Sequence, residues 1–376
     1  MPVLKILHVI PNLAKGGAER LVIDICNELT KQKNIQVKLI VFEDRNEFKE
    51  LSKNIDIEIC NSKVIPSILK KKHIDIYHFQ KIIETFKPDI VHSHLFEAEI
   101  ISRWHIYPNI RYFTHCHDNM MQFKNLPLNV LNKKKITNFF EKNLLLKQYK
   151  KCNNSFIAIS KNTLAYFKTN LSKSFSKRIT LLHNAINYQA FSNKKAKMIN
   201  KKLIHLITIG SLVDKKNQTF LIDVMAYLQN KGYTAKLQII GEGVNKAKIE
   251  NKINELRLRE AITLRGNVDN VEAYLHTSDI YLHSATYEPF GLVLIEAMAS
   301  GLPVVCLDGG GNKDIIEQGK NGFILHENDP ILFAEKIISL IENKDQYNAI
   351  SKYAVSYAKK FDIKNYVDKL LEIYRQ

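Results

Sequence analysis

The sequence lacks any apolar run long enough to cross a membrane. Its 376 residues contain no stretch of roughly 18 consecutive apolar residues, whereas a spanning helix needs about 20. The chain also passes directly from Met1 and Pro2 into the strand-like stretch from Val3 to Ile10, without the apolar core of a secretory signal peptide. We therefore expect a cytoplasmic protein.

Cysteine is scarce, and its spacing carries no metal or disulfide pattern. No Cys-x-x-Cys pair occurs, and the number of cysteines is odd. The five residues are Cys26, Cys60, Cys116, Cys152 and Cys306. We expect reduced thiols and no zinc knuckle.

Acidic residues are outnumbered by basic ones. The chain has 55 Lys and Arg residues against 38 Asp and Glu residues, which gives a formal net charge of +17. Such an excess indicates attraction to nucleic acid, to an acidic membrane surface or to a phosphorylated substrate. Charge alone does not choose among these, and a lysine-rich genomic composition explains the excess equally well.

The length predicts two domains, because one core rarely organises this many residues. One series of alternating strands and helices starts with the strand from Ile6 to Ile10, and a second starts with the strand from Leu203 to Gly210. The polar, lysine-rich segment from Ser192 to Lys202 is the predicted linker. Further strands are predicted at 36–42, 56–59, 89–92, 110–114, 155–160, 235–240 and 262–264. The alternation predicts two α/β domains with doubly wound parallel sheets.

A glycine pair follows the first strand. Gly16 and Gly17 precede a stretch with apolar residues at helical spacing, from Leu21 to Leu29. A strand, a glycine-rich turn and a helix form the phosphate-facing start of a doubly wound domain. A lone glycine pair can also serve the turn alone.

The segment from Ser284 to Val305 has the pattern strand, turn, helix, strand. Pro289 is predicted to begin the helix, and the stretch from Gly301 to Pro303 ends it. Free N–H groups at a helix start favour an anion such as phosphate. The N–H groups expected to face it are those of Phe290, Gly291 and Leu292.

Two glutamates flank this helix start. Glu288 and Glu296 would be about 12 Å apart along a helix, a span that matches opposite ends of a sugar nucleotide. A carboxylate can accept hydrogen bonds from both hydroxyls of a ribose, and we assign this role to Glu296. For an isolated pair of glutamates, a helix cap and a solvated helix residue are the simpler interpretation.

The same segment resembles the Glu-x7-Glu motif of the retaining glycosyltransferases of GT-B fold known as family 4, or glycosyl transferases group 1. The resemblance implies that Glu288 contacts the donor sugar and that Glu296 contacts the ribose. The run Gly-Gly-Ala-Glu-Arg that starts at Gly16 resembles the signature with which many members begin. It implies that Gly16 and Gly17 approach the donor diphosphate.

Two His-x-His pairs end neighbouring predicted strands. His92 and His94 lie in a stretch that resembles the family's Pro-Asp-Ile-Val-His-x-His strand, and His115 and His117 end the next strand, followed by Asp118. In principle these residues could ligate a metal, but no Cys or Glu set completes a site, and we predict no metal. The resemblance places His117 near the donor sugar, where it would orient hydroxyls or support developing charge.

The loop after the first strand of the second domain departs from the family pattern. Lys216 matches the family's lysine, which neutralises the donor diphosphate, but Ser211 stands where the family has arginine. Lysine supplies a point charge without the bidentate fork of arginine, and Lys215 is a candidate to compensate. We also expect Gly210 and Gly243 at the donor, although the Gly-x-Gly that ends at Gly243 is only part of a dinucleotide fingerprint.

The resemblance implies two Rossmann-like domains that face each other across a cleft. Residues 1–190 would bind the acceptor and residues 191–361 the nucleotide sugar, with a final helix at about 362–376 that packs back on the first domain. The glycine loop at 308–312 resembles the family loop that closes around the sugar-phosphate.

The implied activity is retaining transfer of a sugar from a nucleotide-diphosphate donor to a hydroxyl of a glycan or lipid-linked acceptor, in bacterial surface polysaccharide synthesis. We expect no cofactor and no nucleic-acid partner. Because the chain has no Asp-x-Asp, we also expect activity without a metal ion. A sugar-nucleotide 2-epimerase and an inactive scaffold subunit remain the alternatives.

A basic segment runs from Leu126 to Lys151, with lysines interleaved among apolar residues. Such a helix usually packs its apolar side on the core and leaves its lysines in solvent. The functional alternative is contact with anionic lipid headgroups on the inner face of the cell membrane.

Overall fold

A computed structural model describes residues 3–65, 73–124, 133–192 and 199–376. The chain forms two compact units, one made of Met1–Ala185 with Ile363–Gln376 and the other of Ile186–Asp362. Residues 126–132 of the predicted basic segment and residues 193–198 of the predicted linker lie outside the described residues. No helix within the described ranges is both long and apolar enough to span a membrane.

The first unit alternates strands and helices. Its elements up to residue 181 are β1 (Leu4–Ile10), α1 (Gly17–Leu29), β2 (Ile35–Val41), α2 (Lys49–Ser52), β3 (Ile57–Ile59), β4 (Lys63–Ile65), β5 (His73–Asp75), α3 (Tyr77–Phe86), β6 (Ile90–His94), α4 (Phe96–Ser102), β7 (Arg111–Cys116), α5 (Lys133–Cys152), β8 (Ser155–Ala158), α6 (Lys161–Asn170), α7 (Lys173–Ser176) and β9 (Ile179–Leu181). Seven of these strands form one sheet in the order β3-β2-β1-β6-β7-β8-β9. All its neighbours are parallel, whereas β4 and β5 form a separate antiparallel pair.

A helix at the end of the chain, Ile363–Arg375, belongs to this first unit. Its buried residues recur every three or four positions, among them Tyr366, Leu370 and Tyr374, and the helix packs against α1. The hydroxyl of Tyr374 lies 2.5 Å from Nδ1 of His92. The last residues therefore help to cover one face of the sheet.

The second unit repeats the plan. Its elements are α8 (Tyr188–Phe191), β10 (Ile204–Ile209), α9 (Gln218–Asn230), β11 (Ala235–Ile240), α10 (Lys246–Glu255), β12 (Ile262–Gly266), α11 (Val271–Thr277), β13 (Ile280–His283), α12 (Leu292–Ala299), β14 (Val304–Leu307), β15 (Gly322–Leu325), α13 (Pro330–Glu342) and α14 (Lys344–Ala358); the helix Ile363–Arg375 is α15. The strand order is β12-β11-β10-β13-β14-β15, again with parallel neighbours.

Both strand orders are those of doubly wound sheets, so the predicted fold class of two such domains is confirmed. In such sheets, ligands bind beyond the carboxyl ends of the strands where the strand order reverses. That point lies between β1 and β6 in the first unit and between β10 and β13 in the second. The loops that follow these four strands are where a site is expected.

The helix after β13 starts later than the sequence predicts. We expected Pro289 to begin it, but α12 begins at Leu292, and Gly291 adopts a left-handed conformation with φ of 105°. That conformation is incompatible with a helical turn, so Pro289 and Phe290 lie in the preceding loop. The N–H groups of the first helical turn therefore start at Leu292 rather than at Phe290.

Candidate functional site

Two loops meet where the strand order of the second unit reverses. Lys216 ends a short 3-10 turn after β10, and His283 ends β13, which leads to Glu288. The hydroxyl of Ser284 donates to the carbonyl of Lys216 over 2.8 Å, and the N–H of Thr286 donates to the carbonyl of Lys215 over 3.0 Å. These hydrogen bonds hold the two loops side by side.

The side chains of Lys216, His283 and Glu288 converge at this point. Lys216 Nζ donates to Glu288 Oε2 over 2.6 Å, and His283 Nε2 lies 3.1 Å from the same oxygen. Burial by itself would raise the pKa of Glu288, but the charge of Lys216 and the contact with His283 outweigh burial and hold that pKa well below its usual range. Glu288 is therefore an ionised carboxylate at neutral pH, one that accepts hydrogen bonds and cannot donate a proton.

A glycine loop supports the backbone of Glu288. The N–H of Glu288 donates to the carbonyl of Gly309 over 2.7 Å, and the N–H of Gly311 donates to the carbonyl of Glu288 over 2.8 Å. A Cβ on Gly311 would lie 1.9 Å from the carbonyl oxygen of Pro289, so only glycine allows this approach. Asn312 fixes the loop because its side chain accepts from the N–H of Gly309 and donates to the carbonyl of Leu307. The predicted loop at 308–312 thus packs on Glu288.

The other predicted residues of this segment have different surroundings. Glu296 is buried within α12. Phe290 is also buried, and its ring meets that of Phe361 edge to face at 6.0 Å. The Phe290 side chain therefore packs in the core, and Gly291 provides the left-handed turn into α12.

Gly210 and Gly243 lie where the loops after β10 and β11 touch. A Cβ on Gly243 would lie 2.4 Å from the carbonyl oxygen of Leu212, and one on Gly241 would lie 2.2 Å from that of Gly210. The Gly-x-Gly after β11 thus permits close backbone packing. Ser211, in the arginine position of the family, is exposed.

In the first unit, the predicted glycines follow β1 at the corresponding point of the sheet. Gly16 has an extended backbone and caps α1 without a side chain, and Gly17 is the first helical residue. The start of α1 is therefore formed by the two glycines, and their approach to a donor diphosphate stays a prediction.

Five histidines lie together at the same end of this sheet. His8 pairs in register with His92 on the neighbouring strand, and His94 pairs with His115. Since alternate residues of a strand share a face, His92 and His94 point the same way, and so do His115 and the half-buried His117 just beyond β7. Register and alternation together produce the cluster.

A row of hydrogen bonds runs through this histidine cluster. His8 Nδ1 lies 3.0 Å from His94 Nε2, and His94 Nδ1 lies 2.8 Å from His117 Nε2. Burial lowers the pKa of His8 to about 3 and that of His115 to about 4. Burial and then the neighbouring imidazoles lower the pKa values of the remaining three well below the usual range. All five rings are therefore neutral at pH 7.

Two trios within the cluster have ring nitrogens close enough to hold a metal ion. The nitrogens of His8, His92 and His94 lie within 4.8 Å of one another, and so do those of His94, His115 and His117. Neutral imidazoles suit zinc, nickel or copper. The rings of His115 and His117, however, are stacked almost parallel at 4.3 Å, whereas nitrogens that share one ion must converge on it.

Sequence patterns did not identify His8, His283 or Glu99 as candidate site residues. His8 and His283 lie in largely apolar strands, although β1 also contains Lys5, and Glu99 lies in the short helix α4 with Glu97 and Ser102. For the two histidines, the available signal was a polar residue in a mainly apolar strand. It becomes informative only when the strand order places β1 beside β6 and β10 beside β13.

Two family models match the chain. One, described as Glycosyltransferase Family 4, matches residues 15–190, and the other, described as Glycosyl transferases group 1, matches residues 189–357. They meet at the division between the two units, and between them they leave only the two ends of the chain unmatched.

Similar proteins support the same assignment. An uncharacterized glycosyltransferase of Haemophilus influenzae is 25% identical over 361 residues, which cover 94% of this chain and 95% of that protein. The N-acetylgalactosamine-N,N'-diacetylbacillosaminyl-diphospho-undecaprenol 4-alpha-N-acetylgalactosaminyltransferase of Campylobacter jejuni is 29% identical over 204 residues, 54% of this chain and 55% of that enzyme. The crystal structure of Anabaena HepE in complex with UDP and glucose matches with a TM-score of 0.79 and 20% identity, and covers 99% of this chain and 100% of that one. The predicted GT-B fold class is confirmed.

Proposed function

The chain belongs to the group 1, or family 4, glycosyltransferases, and we propose that it moves a sugar from a nucleoside-diphosphate donor to a hydroxyl of a glycan or lipid-linked acceptor, with retention of configuration. The observation that carries this proposal is the convergence of Lys216, His283 and Glu288 at the reversal point of the second sheet. A cation and a fixed carboxylate there suit the diphosphate and the hydroxyls of one nucleotide sugar.

Departure of the nucleoside diphosphate builds negative charge on its phosphates. Lys216 would stabilise that charge, together with the N–H groups at the start of α12. Glu288 is ionised and cannot act as a general acid, so its role is to accept hydrogen bonds from the sugar and position it. Glu296 would accept hydrogen bonds from the ribose. The leaving phosphate would take the acceptor proton on the same face, and no enzymic nucleophile is needed.

The names of similar proteins indicate which donors and acceptors to test first. HepE binds UDP, which makes a UDP-sugar the first donor to test. The Campylobacter enzyme is named for a diphospho-undecaprenol acceptor, which supports a lipid-linked saccharide and a role in surface polysaccharide synthesis. His117, a neutral imidazole, would orient sugar hydroxyls rather than carry positive charge.

Donor binding tests the proposal. A UDP-sugar at about 100 times its Kd is expected to raise the melting temperature of the second unit by roughly 5–10 °C. Glu296→Ala should abolish most of this shift because the ribose loses its hydrogen-bond acceptor. A panel of nucleotide sugars in a thermal-shift assay, followed by mass spectrometry with lipid-linked acceptors, measures both binding and product. Epimerised donor formed without acceptor would favour the epimerase, and no stabilisation by any nucleotide sugar would favour the scaffold.

We also propose that transfer requires no metal ion. Lys216 would supply at the diphosphate the positive charge that an ion supplies in metal-dependent transferases. The turnover rate should be unchanged, within a factor of two, after dialysis against EDTA. Loss of activity with rescue by Mg²⁺ or Mn²⁺ would contradict this proposal.

The first half of α5 supports a proposal of peripheral membrane contact. Leu145 and Tyr149 in its second half are buried, as expected for core packing, but Ile136 is 43% exposed and Phe139 is 67% exposed, near the exposed Lys133. Exposed apolar side chains beside lysines suit an anionic lipid surface. In liposome flotation we expect binding to vesicles rich in phosphatidylglycerol and several-fold weaker binding by Phe139→Asn. Equal binding to neutral vesicles would exclude the anionic preference.

A further inference from the structure

The first unit contains a cavity of about 380 Å³ beyond the ends of β6 and β7. This volume lies within the range of small-ligand sites. Its wall is formed by the start of α4 and by the segment that follows β7. His117 belongs to this wall, so the cavity adjoins the residue that we place near the transferred sugar.

The lining of this cavity contains no cationic side chain among the residues that the structure describes. It combines apolar side chains with polar ones that are acidic or neutral. The polar members are Glu99, His115, His117, Asp118, Asn119 and Gln122. The absence of lysine and arginine from the described lining contrasts with the net charge of +17 for the whole chain.

Glu99 has one satisfied and one unsatisfied oxygen in this wall. Its Oε2 accepts hydrogen bonds from the hydroxyls of Tyr149 and Thr114, and Thr114 is in turn held by Arg103 and Asn154. Its Oε1 is buried and has no hydrogen-bond partner among the described residues. An unsatisfied buried carboxylate oxygen is costly, so the network fixes a side chain that still needs a donor.

The guanidinium of Arg103 does not supply that donor. It is fully buried and donates to Ser93, Ser102, Phe113, Thr114 and Asn154. His115, on the same wall, also has two ring nitrogens without a hydrogen bond to the described residues, although the side chain of Asn184 lies nearby. Among the described residues, the cavity thus leaves one carboxylate oxygen of Glu99 without a partner, beside an imidazole that the side chain of Asn184 approaches.

We propose that this cavity receives an uncharged sugar ring of the acceptor, and that Glu99 accepts a hydrogen bond from one of its hydroxyls. Hydroxyls supply the donor that Glu99 needs, and they both donate to and accept from neutral imidazoles. The apolar members of the lining, such as Phe96 and Met121, suit the C–H face of a pyranose. An acceptor with phosphate or carboxylate at this position would meet two acids and no cationic side chain among the described lining residues, which disfavours it.

This inference rests on the proposed transfer reaction, and a binding assay separates the two. Saturation-transfer NMR at pH 8 without donor can use two probes, methyl N-acetylglucosaminide and methyl glucuronide. We expect saturation transfer to the neutral glycoside and at least tenfold weaker binding of the glucuronide. Failure of the transfer reaction would leave this result unaffected.

Glu99→Gln is expected to weaken binding of the neutral glycoside, and to raise the acceptor KM, by roughly 10- to 100-fold, the range for hydrogen bonds to a charged group. The matched control is Glu97→Gln on the same helix, a residue outside the cavity wall, which should behave like the wild type. Stabilisation by the nucleotide sugar should be the same in both variants. Equal acceptor binding by Glu99→Gln and the wild type would overturn the inference.

A second variant keeps the test valid if Glu99→Gln folds poorly. Met121 is half-exposed and lines the cavity, so Met121→Arg adds a cation at little structural cost. Met121→Arg should raise the affinity for the glucuronide, relative to the affinity for the neutral glycoside, by at least fivefold. A wild-type preference for the anionic glycoside, or no change with Met121→Arg, would contradict the assignment.

Discussion

Replacing Lys216 with methionine is expected to lower kcat by roughly 100- to 1,000-fold, the range seen when one charge-stabilising donor is removed from an active site. The loss should fall on kcat more than on donor binding, because negative charge on the leaving diphosphate grows toward the transition state. The decrease in kcat is measured from steady-state rates of UDP-sugar consumption with a saturating acceptor. Lys215→Met is the comparison variant. Lys215 is the candidate to compensate for Ser211, but it is exposed and lies 5.8 Å from the ring of Tyr287, so we expect its replacement to lower kcat by less than a factor of five.

Removal of Lys216 also has a structural cost that must be separated from catalysis. Glu288 is 7% exposed and, although His283 Nε2 still lies 3.1 Å from its Oε2, it would keep a buried charge without its lysine, which costs about 3 kcal/mol of unfolding free energy. The double variant Lys216→Met with Glu288→Gln removes both charges and should recover most of this stability. It should not recover kcat. If the double variant regained activity, Lys216 would serve only to neutralise Glu288.

The parts of the site that lie in loops were proposed from the resemblance to family motifs. The structure brings Glu288, Lys216 and the glycine loop at 308–312 to one reversal point, and their roles at a donor stay predictions. The start of α12 was wrong by three residues because proline is as compatible with the loop as with the first helical turn. The deciding residue was Gly291, whose left-handed conformation can be seen only in three dimensions.

The buried partners could not be predicted from the sequence. His283 reaches Glu288 only because β13 lies beside β10, and Glu99 gains its network only when α4 packs over β7 and α5. Strand order is a long-range property that local patterns do not encode. For the same reason, the sequence did not show that His8 belongs to the histidine cluster, because its place there follows from the pairing of β1 with β6.

The first unit is expected to lose stability steeply as the pH falls below 6.5, because its five clustered histidines are held neutral. The pKa of His8 is lowered to about 3 and that of His115 to about 4, so below pH 6.5 the unfolded chain binds protons that the folded unit does not. This contribution is fully present above pH 6.5 and is lost as the pH falls toward the folded pKa values. Each such histidine costs about 1.4 kcal/mol per pH unit within that window.

The size of this effect follows from the number of histidines. His8 and His115 together remove roughly 3 kcal/mol at pH 5.5, and His92, His94 and His117 act in the same direction, against a typical total stability of about 5–15 kcal/mol. Protonation of Glu99 has the opposite effect on the stability of the first unit. Burial raises its pKa to about 7, so protonation between pH 7 and 4.5 favours the folded state by about 1.4 kcal/mol per pH unit. One carboxyl offsets about one histidine, so the net effect of lowering the pH is still a loss of stability.

Urea unfolding followed by near-ultraviolet circular dichroism between pH 8 and pH 5 measures this dependence. We expect the urea midpoint for the first unit to fall continuously as the pH decreases below 6.5. His115→Gln should reduce the dependence of the unfolding free energy on pH by the contribution of one histidine, because it removes one group that must stay neutral in the folded unit. The matched control is His105→Gln, since His105 is exposed in the same unit and should leave the slope unchanged. A midpoint that stayed constant from pH 7.5 to 5.5 would show that the cluster accepts protons in the folded state, and hence that water or ions reach these rings.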